Sequence, residues 1–306
     1  MRFLITGANG QVGRELRRAL APLGEIVAST RDGQLHDGTS GAIADLERPA
    51  SLPVLLDRVR PDVIVNAAAY TAVDRAESEP ALAHRVNAEA VRVMAEWAAT
   101  HDTPLVHYST DYVFDGRHPR PRREDDATAP LGVYGASKLA GEHAVRDSGA
   151  THLVFRTAWV YAAHGHNFLA TMLRLATERD RLRVVDDQHG TPTPAGLIAD
   201  VTAEVLRQWL PMPRRTRAAH AGTYHLVAEG QTTWCGFARA ILNAAHARGL
   251  IDREVTVEAI GSAQYPTPAP RPTWSVLDTS HLRGTFDVAL PAWEAGLDAV
   301  VAALAS

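Results

Sequence analysis

Tyr134 and Lys138 stand four residues apart in Tyr134-Gly-Ala-Ser-Lys138, and Lys138 is the chain's one lysine. Every other member of its Lys+Arg total of 31 is an arginine. Positions four apart share a helix face, so phenol and ammonium would point the same way. Lysine offers a compact charge with three rotatable donors, where arginine offers a planar fork. A cation beside a phenol favours the phenolate and lowers its pKa from the ordinary value of about 10. That would make Tyr134 a usable proton donor and acceptor near neutral pH. A surface lysine beside a packed tyrosine would read the same, and the rest of the chain decides between the two.

Proton transfer of this kind needs a reacting partner held in place, and the N-terminal segment has the form of a nucleotide cradle. The apolar run Phe3–Thr6 leads into Gly7-Ala-Asn-Gly10-Gln-Val-Gly13, and Leu16, Ala19 and Leu20 then recur at helical spacing. Strand, glycine turn and helix follow from that pattern. The glycines allow a tight turn and close approach of backbone to a pyrophosphate seated on the helix N-terminus. The spacing G-x-x-G-x-x-G differs from the commoner G-x-G-x-x-G.

Further strands are expected at Glu25–Ser29, Asp62–Asn66, Leu105–Ser109 and His152–Arg156, with helical patterns such as Ala81–Thr100 between them. This alternation predicts an α/β fold: a Rossmann-type, doubly wound parallel sheet. Ligands bind beyond the carboxyl ends of such strands, which directs attention to Gly7–Gly13, Thr30-Arg31, Ala67–Tyr70, Thr110-Asp111 and Thr157–Trp159. After the second strand, an acidic residue would favour a free ribose; Ser29-Thr30-Arg31 instead supplies hydroxyls and a cation. NADPH should therefore be used at least as well as NADH. Strand–helix order loosens after about residue 157. Residues 1–160 are read as the NAD(P)-binding domain, and the proline-rich Tyr265–Pro272 suggests a loop over a second domain in 161–306.

Composition fits a soluble globular protein, with 46% hydrophobic and 22% charged residues. A net charge of -4 gives no electrostatic reason to expect nucleic acid or a membrane as partner. The single cysteine, Cys235, leaves no internal disulfide framework and no cysteine-based zinc site. The N-terminal apolar run is too short for a signal peptide or membrane span, so a cytoplasmic location is expected. Arg117–Arg123 reads as an exposed basic loop. His164-Gly-His166 has no evident third metal ligand.

Taken together, Gly7-x-x-Gly10-x-x-Gly13, Asn66-Ala-Ala-Ala69, Ser109-Thr-Asp-Tyr-Val-Phe114 and Tyr134-x-x-x-Lys138 resemble the extended short-chain dehydrogenase/reductases. Arg60–Asp74, Arg156–Tyr161, Asn167-Phe168, Asp187–Thr193 and Tyr265–Pro268 narrow the likeness to the dTDP-4-dehydrorhamnose reductases, over nearly the full length. That resemblance implies hydride transfer from NADPH or NADH to C4 of dTDP-4-dehydro-L-rhamnose, giving dTDP-L-rhamnose. It also implies that 161–306 is mainly a smaller α/β substrate-binding domain, with some later segments rejoining the sheet. Tyr134 would protonate the developing alkoxide and Thr110 would hydrogen-bond the same oxygen. Lys138 would hold the nicotinamide ribose and stabilise the phenolate. The implied cofactor contacts are Gly7, Gly10, Gln11, Val12, Thr30, Arg31, Asp45, Leu46, Ala67, Ala69, Tyr70 and Thr71, with Tyr134 and Lys138. Asp111 and Trp159 join Thr110 on the substrate side. Tyr112 stands where the related 4,6-dehydratases carry a glutamate base, which favours reduction over elimination.

The resemblance also implies a Mg²⁺ site at a dimer interface built from three carboxylates. Glu15 and Asp200 match two of them, but the third position is Gly196, so at most weak binding is expected, with a monomer or weak homodimer. Two alternatives stay open. One is a 4-ketoreductase of another dTDP-deoxysugar route. The other is a non-catalytic subunit resembling the regulatory subunit of methionine adenosyltransferase.

Overall fold

The structure, a computed structural model, describes residues 1–305. Its N-terminal part runs β1 (Arg2–Thr6), α1 (Gln11–Leu20), β2 (Glu25–Thr30), β3 (Ala42–Ile43), α2 (Leu52–Val59), β4 (Val63–Asn66), α3 (Ala90–Thr100), β5 (Leu105–Thr110), α4 (Val133–Asp147) and β6 (His152–Thr157). It continues with α5 (Phe168–Glu178), α6 (Ala195–Trp209), β7 (Gly222–His225), α7 (Trp234–Ala247) and α8 (Trp293–Ala305).

The seven strands form one parallel sheet in the order β7-β6-β5-β4-β1-β2-β3. All five expected strands are present, and β7 rejoins the sheet from the C-terminal half. The chain moves outward from β1 through β2 and β3, then returns to β4 on the other side of β1. That reversal opens a crevice between the carboxyl ends of β1 and β4.

Val63, Ile64 and Val65, like Phe3, Leu4 and Ile5, are wholly buried, because a parallel sheet is covered on both faces. Leu16 and Leu20 of α1 cover one face with Ile198, Val205 and Trp209 of α6. The other face is covered by Leu52, Leu55 and Leu56 of α2, by Val91, Met94 and Ala98 of α3, and by Val145 of α4. α6 lies in the C-terminal half of the sequence yet packs on the nucleotide-fold core. A separate cluster gathers α5, α7 and α8 around the parallel pair Arg181–Val185 and Thr256–Ile260.

Two details depart from the sequence reading. The helical stretch ending at Thr100 contains a π-helical turn at Arg85–Glu89, a feature frequent at functional sites. The basic loop is not exposed throughout. Arg122 is buried, with its guanidinium 5.0 Å from the Phe114 ring centre and its charge facing Asp115 and Asp126. Among the described residues, no helix is long and apolar enough to cross a membrane.

Candidate active site

At the carboxyl end of β1, Gly7 adopts φ +68°, and a Cβ there would lie 2.7 Å from the backbone of Ala68. A Cβ on Gly13 would lie 2.1 Å from the Gly7 carbonyl oxygen. Only glycine permits this packing of turn, helix and the β4 end. The result is a backbone-walled cradle at the N-terminus of a ten-residue helix, the form that suits a dinucleotide pyrophosphate. A cavity of about 600 Å³ continues from it, lined by Gly7, Gly10, Thr30 and Arg31 on one side and Asp45, Leu46, Ala69 and Tyr70 on the other. These residues fit the adenosine half of a nicotinamide dinucleotide. The other expected contacts are not part of that lining. Val12 and Ala67 pack against the apolar core, Gln11 accepts a hydrogen bond from Asn167 Nδ2 at 2.9 Å, and Thr71 is exposed.

Thr110 ends β5, while Tyr134 and Lys138 occupy the first turns of α4. The Thr110 hydroxyl donates to Asp111 Oδ1 at 2.9 Å and accepts from the Tyr112 N–H at 3.2 Å. Burial pushes the Tyr134 phenol up to about 12, against the downward pull of its hydrogen bond with Thr110. The expected lowering by Lys138 is not realised in this arrangement. Lys138 Nζ donates to the Tyr108 carbonyl at 2.6 Å, and burial brings its own pKa down to about 8, partly opposed by Glu142. Burial likewise raises Asp111 to about 6, against hydrogen bonds from Ser275 and Thr110. Thr110, Asp111 and Tyr134 are thus linked by hydrogen bonds, and Thr110, Asp111 and Lys138 are buried, where a hydrogen bond or charge counts for more than in water.

Trp159 has φ +46° and stacks on Trp234 with ring centres 3.6 Å apart. A Cβ on Gly190 would sit 2.4 Å from the Trp159 indole. This residue, expected on the substrate side, forms an aromatic wall with a partner that sequence reading had not singled out.

The whole chain, residues 1–306, matches the family described as the RmlD substrate binding domain. The chain belongs to the dTDP-4-dehydrorhamnose reductase family. Relatives of that name include one from Salmonella typhimurium, 47% identical over 297 residues covering 97% of this chain and 96% of the relative. Another, from Burkholderia thailandensis, is 49% identical and covers 96% of this chain and 95% of the relative. The dTDP-4-dehydrorhamnose reductase of Bacillus anthracis, crystallised in complex with NADP, superposes with a TM-score of 0.87 at 32% identity, covering 99% of both chains.

The carboxylates that the resemblance matched to a magnesium site, Glu15 and Asp200, are already engaged here. Arg18 Nη2 lies 2.7 Å from Asp200 Oδ1, and Arg18 Nε lies 3.3 Å from Glu15 Oε2. Glu15 also bonds His164 Nε2 at 2.8 Å. A Cβ on Gly196 would come within 3.9 Å of the same Glu15 carboxylate, so the place of a third acid is empty of donors. Two carboxylates already matched to a guanidinium do not fit a magnesium site, since Mg²⁺ asks for anionic oxygen ligands. Among the described residues, no group of three or more His, Cys, Asp or Glu side chains could hold a metal ion.

Sequence reading missed three supports of the site. Asn87, in the π turn, accepts from the Tyr70 N–H at 2.8 Å and donates to the Tyr70 carbonyl and to Ser137 Oγ at 3.0 Å each. It ties the end of β4 to the helix carrying Tyr134. Glu142 and Arg156 form a buried pair at 2.7 Å, and Glu142 also accepts from Ser109 Oγ at 2.6 Å, next to Thr110. Arg271, in the proline-rich loop, grips Asp74 through both nitrogens at 2.9 and 2.8 Å. Only the folded chain brings these partners together.

Proposed function

We propose that this chain reduces the C4 carbonyl of dTDP-4-dehydro-L-rhamnose to give dTDP-L-rhamnose, using NADPH or NADH. The observation that carries this reading is the Thr110–Tyr134 hydrogen bond with Lys138 buried one turn along the same helix, in a fold whose glycine cradle admits no side chain at Gly7 or Gly13. A nicotinamide cofactor, when bound, supplies the hydride. Tyr134 then delivers its proton to the alkoxide forming at C4, the role of a positioned general acid. The Thr110 hydroxyl polarises the same oxygen by turning its hydrogen from Asp111 toward the substrate. Lys138 holds the ribose of the cofactor and its charge stabilises the phenolate. Asp111 and Trp159 face the sugar.

We assign cofactor binding mainly to residues 1–160 and the sugar nucleotide mainly to 161–306, and take the enzyme to work in the cytoplasm as a monomer or weak homodimer. A complete proton-transfer set weighs against a purely binding role.

The test is nicotinamide absorbance with enzymatically prepared dTDP-4-dehydrorhamnose, NADPH and NADH in parallel, and product identification by NMR. Rapid oxidation with formation of dTDP-L-rhamnose supports the reading. A folded protein that oxidises neither cofactor overturns it, and a C4 epimer of the product would move the assignment to another deoxysugar reductase.

A further inference from the structure

Beyond β2, both groups that could receive an adenosine 2′-phosphate are already tied to carboxylates. The Thr30 hydroxyl donates to Asp32 Oδ1 at 3.1 Å, and that oxygen also accepts the Gln34 N–H at 3.1 Å. Arg31 Nη1 meets Glu47 Oε1 at 3.0 Å. Glu47 comes from the segment following β3, the edge strand paired with β2, and its backbone N–H donates to Asp45 Oδ1 at 3.1 Å. Asp32, Asp45 and Glu47 thus all border this end of the cavity. The other arginine of the lining, Arg75, is bound to Glu79 at 2.6 Å. The one cation aimed at the ribose end is answered by its own carboxylate.

We propose that Glu47 is a specificity-determining residue for the cofactor, holding Arg31 so that NADH is accepted alongside NADPH. The inference rests on the reading that the adenosine end of the cofactor lies in this cavity. A ribose diol is a neutral donor pair, and carboxylates accept its hydrogens. A 2′-phosphate gains from Arg31 only by displacing or sharing it with Glu47, and it must do so near Asp32 and Asp45, where like charges repel. Removing the Glu47 charge therefore favours the phosphate, and removing the Arg31 charge disfavours it. The two side chains are 41% and 75% exposed, so solvent screens the effect, and about a threefold to tenfold change is the appropriate scale.

The experiment measures Kd for NADPH and NADH by titration calorimetry in the wild type, Glu47→Gln and Arg31→Gln, with KM for both cofactors as a second reading. Glu47→Gln is expected to raise the preference for NADPH threefold to tenfold, and Arg31→Gln to lower it. If Glu47→Gln leaves the preference within twofold while Arg31→Gln lowers it, Glu47 has no such role and the proposal falls. If neither variant changes the preference, the adenosine end lies elsewhere and the reading of the cavity itself fails.

Discussion

A shielded tyrosine makes a strong catalytic acid only if its proton leaves toward something more basic, and Tyr134 suits the general-acid role proposed for it. Its phenol is pushed up to about 12, so it stays protonated until an alkoxide forms beside it. Tyr134→Phe keeps the ring and removes the proton, and should lower kcat by about 10²–10⁴, the usual scale of general acid catalysis. A rate within tenfold of wild type would exclude the role. Lys138 should set the alkaline limit. Its ammonium loses charge as pH rises through about 8, so kcat/KM, which reports groups of the free enzyme, should fall above that pH. Lys138→Met should remove this limb along with most activity, and a flat profile to pH 10 in the wild type would show that the charge is not used. That Tyr134 and Lys138 share one helix was legible in the sequence, because they stand four apart. The pKa directions were not, because desolvation and the turn of Lys138 toward the Tyr108 carbonyl arise only in the packed structure.

Strands β1, β2, β4, β5 and β6 could be read from short apolar runs because a parallel sheet buried on both faces needs little but apolar residues. What joins them to α4 could not. Glu142 of α4 takes Ser109 of β5 and Arg156 of β6 at once, at 2.6 and 2.7 Å, with neither Glu142 nor Arg156 exposed by more than 1%. In sequence these are an unremarkable glutamate and an arginine inside a strand. In space they fix the strand ends that lead directly to Thr110 and Thr157. Glu142→Gln leaves a guanidinium buried without a countercharge, at a cost of about 3–5 kcal/mol. Thermal melts should then show Tm lowered by roughly 6–15 °C. Replacing both partners by apolar residues of similar volume should recover much of that loss, since removing a whole buried pair is far less costly than removing half. If the single variant melts within 2 °C of wild type, the pair does not anchor α4.

On the scale of the whole molecule, α6 and β7 belong to the later half of the sequence but complete the nucleotide-fold core, so neither lobe is assembled from one continuous stretch. That some later segments rejoin the sheet is implied by the family resemblance, but strand–helix alternation could not say which, since α5 and the Arg181–Val185 strand of the other cluster intervene. A second long-range tie joins Asp74 to the proline-rich loop. Asp74, just beyond the β4 end, accepts both Arg271 nitrogens and the Ala269 N–H at 3.2 Å. Ala269, Pro270 and Pro272 of the same loop line a small cleft with Tyr112 and Tyr134. The clasp therefore fixes the loop beside Tyr134 and away from the cavity lined by Arg31 and Glu47. Paired guanidinium–carboxylate bonds give geometry as well as energy, and Arg271 is mostly shielded, with 19% of its side chain exposed. Arg271→Ala should loosen the loop and raise KM for the sugar nucleotide about tenfold, the worth of a charge-assisted hydrogen bond of about 1.5 kcal/mol. KM for NADPH should stay within twofold, because the far end of the cavity is untouched. Equal rises in both constants would mean that the clasp supports the whole fold, and no rise in either would mean that the loop holds its place without it.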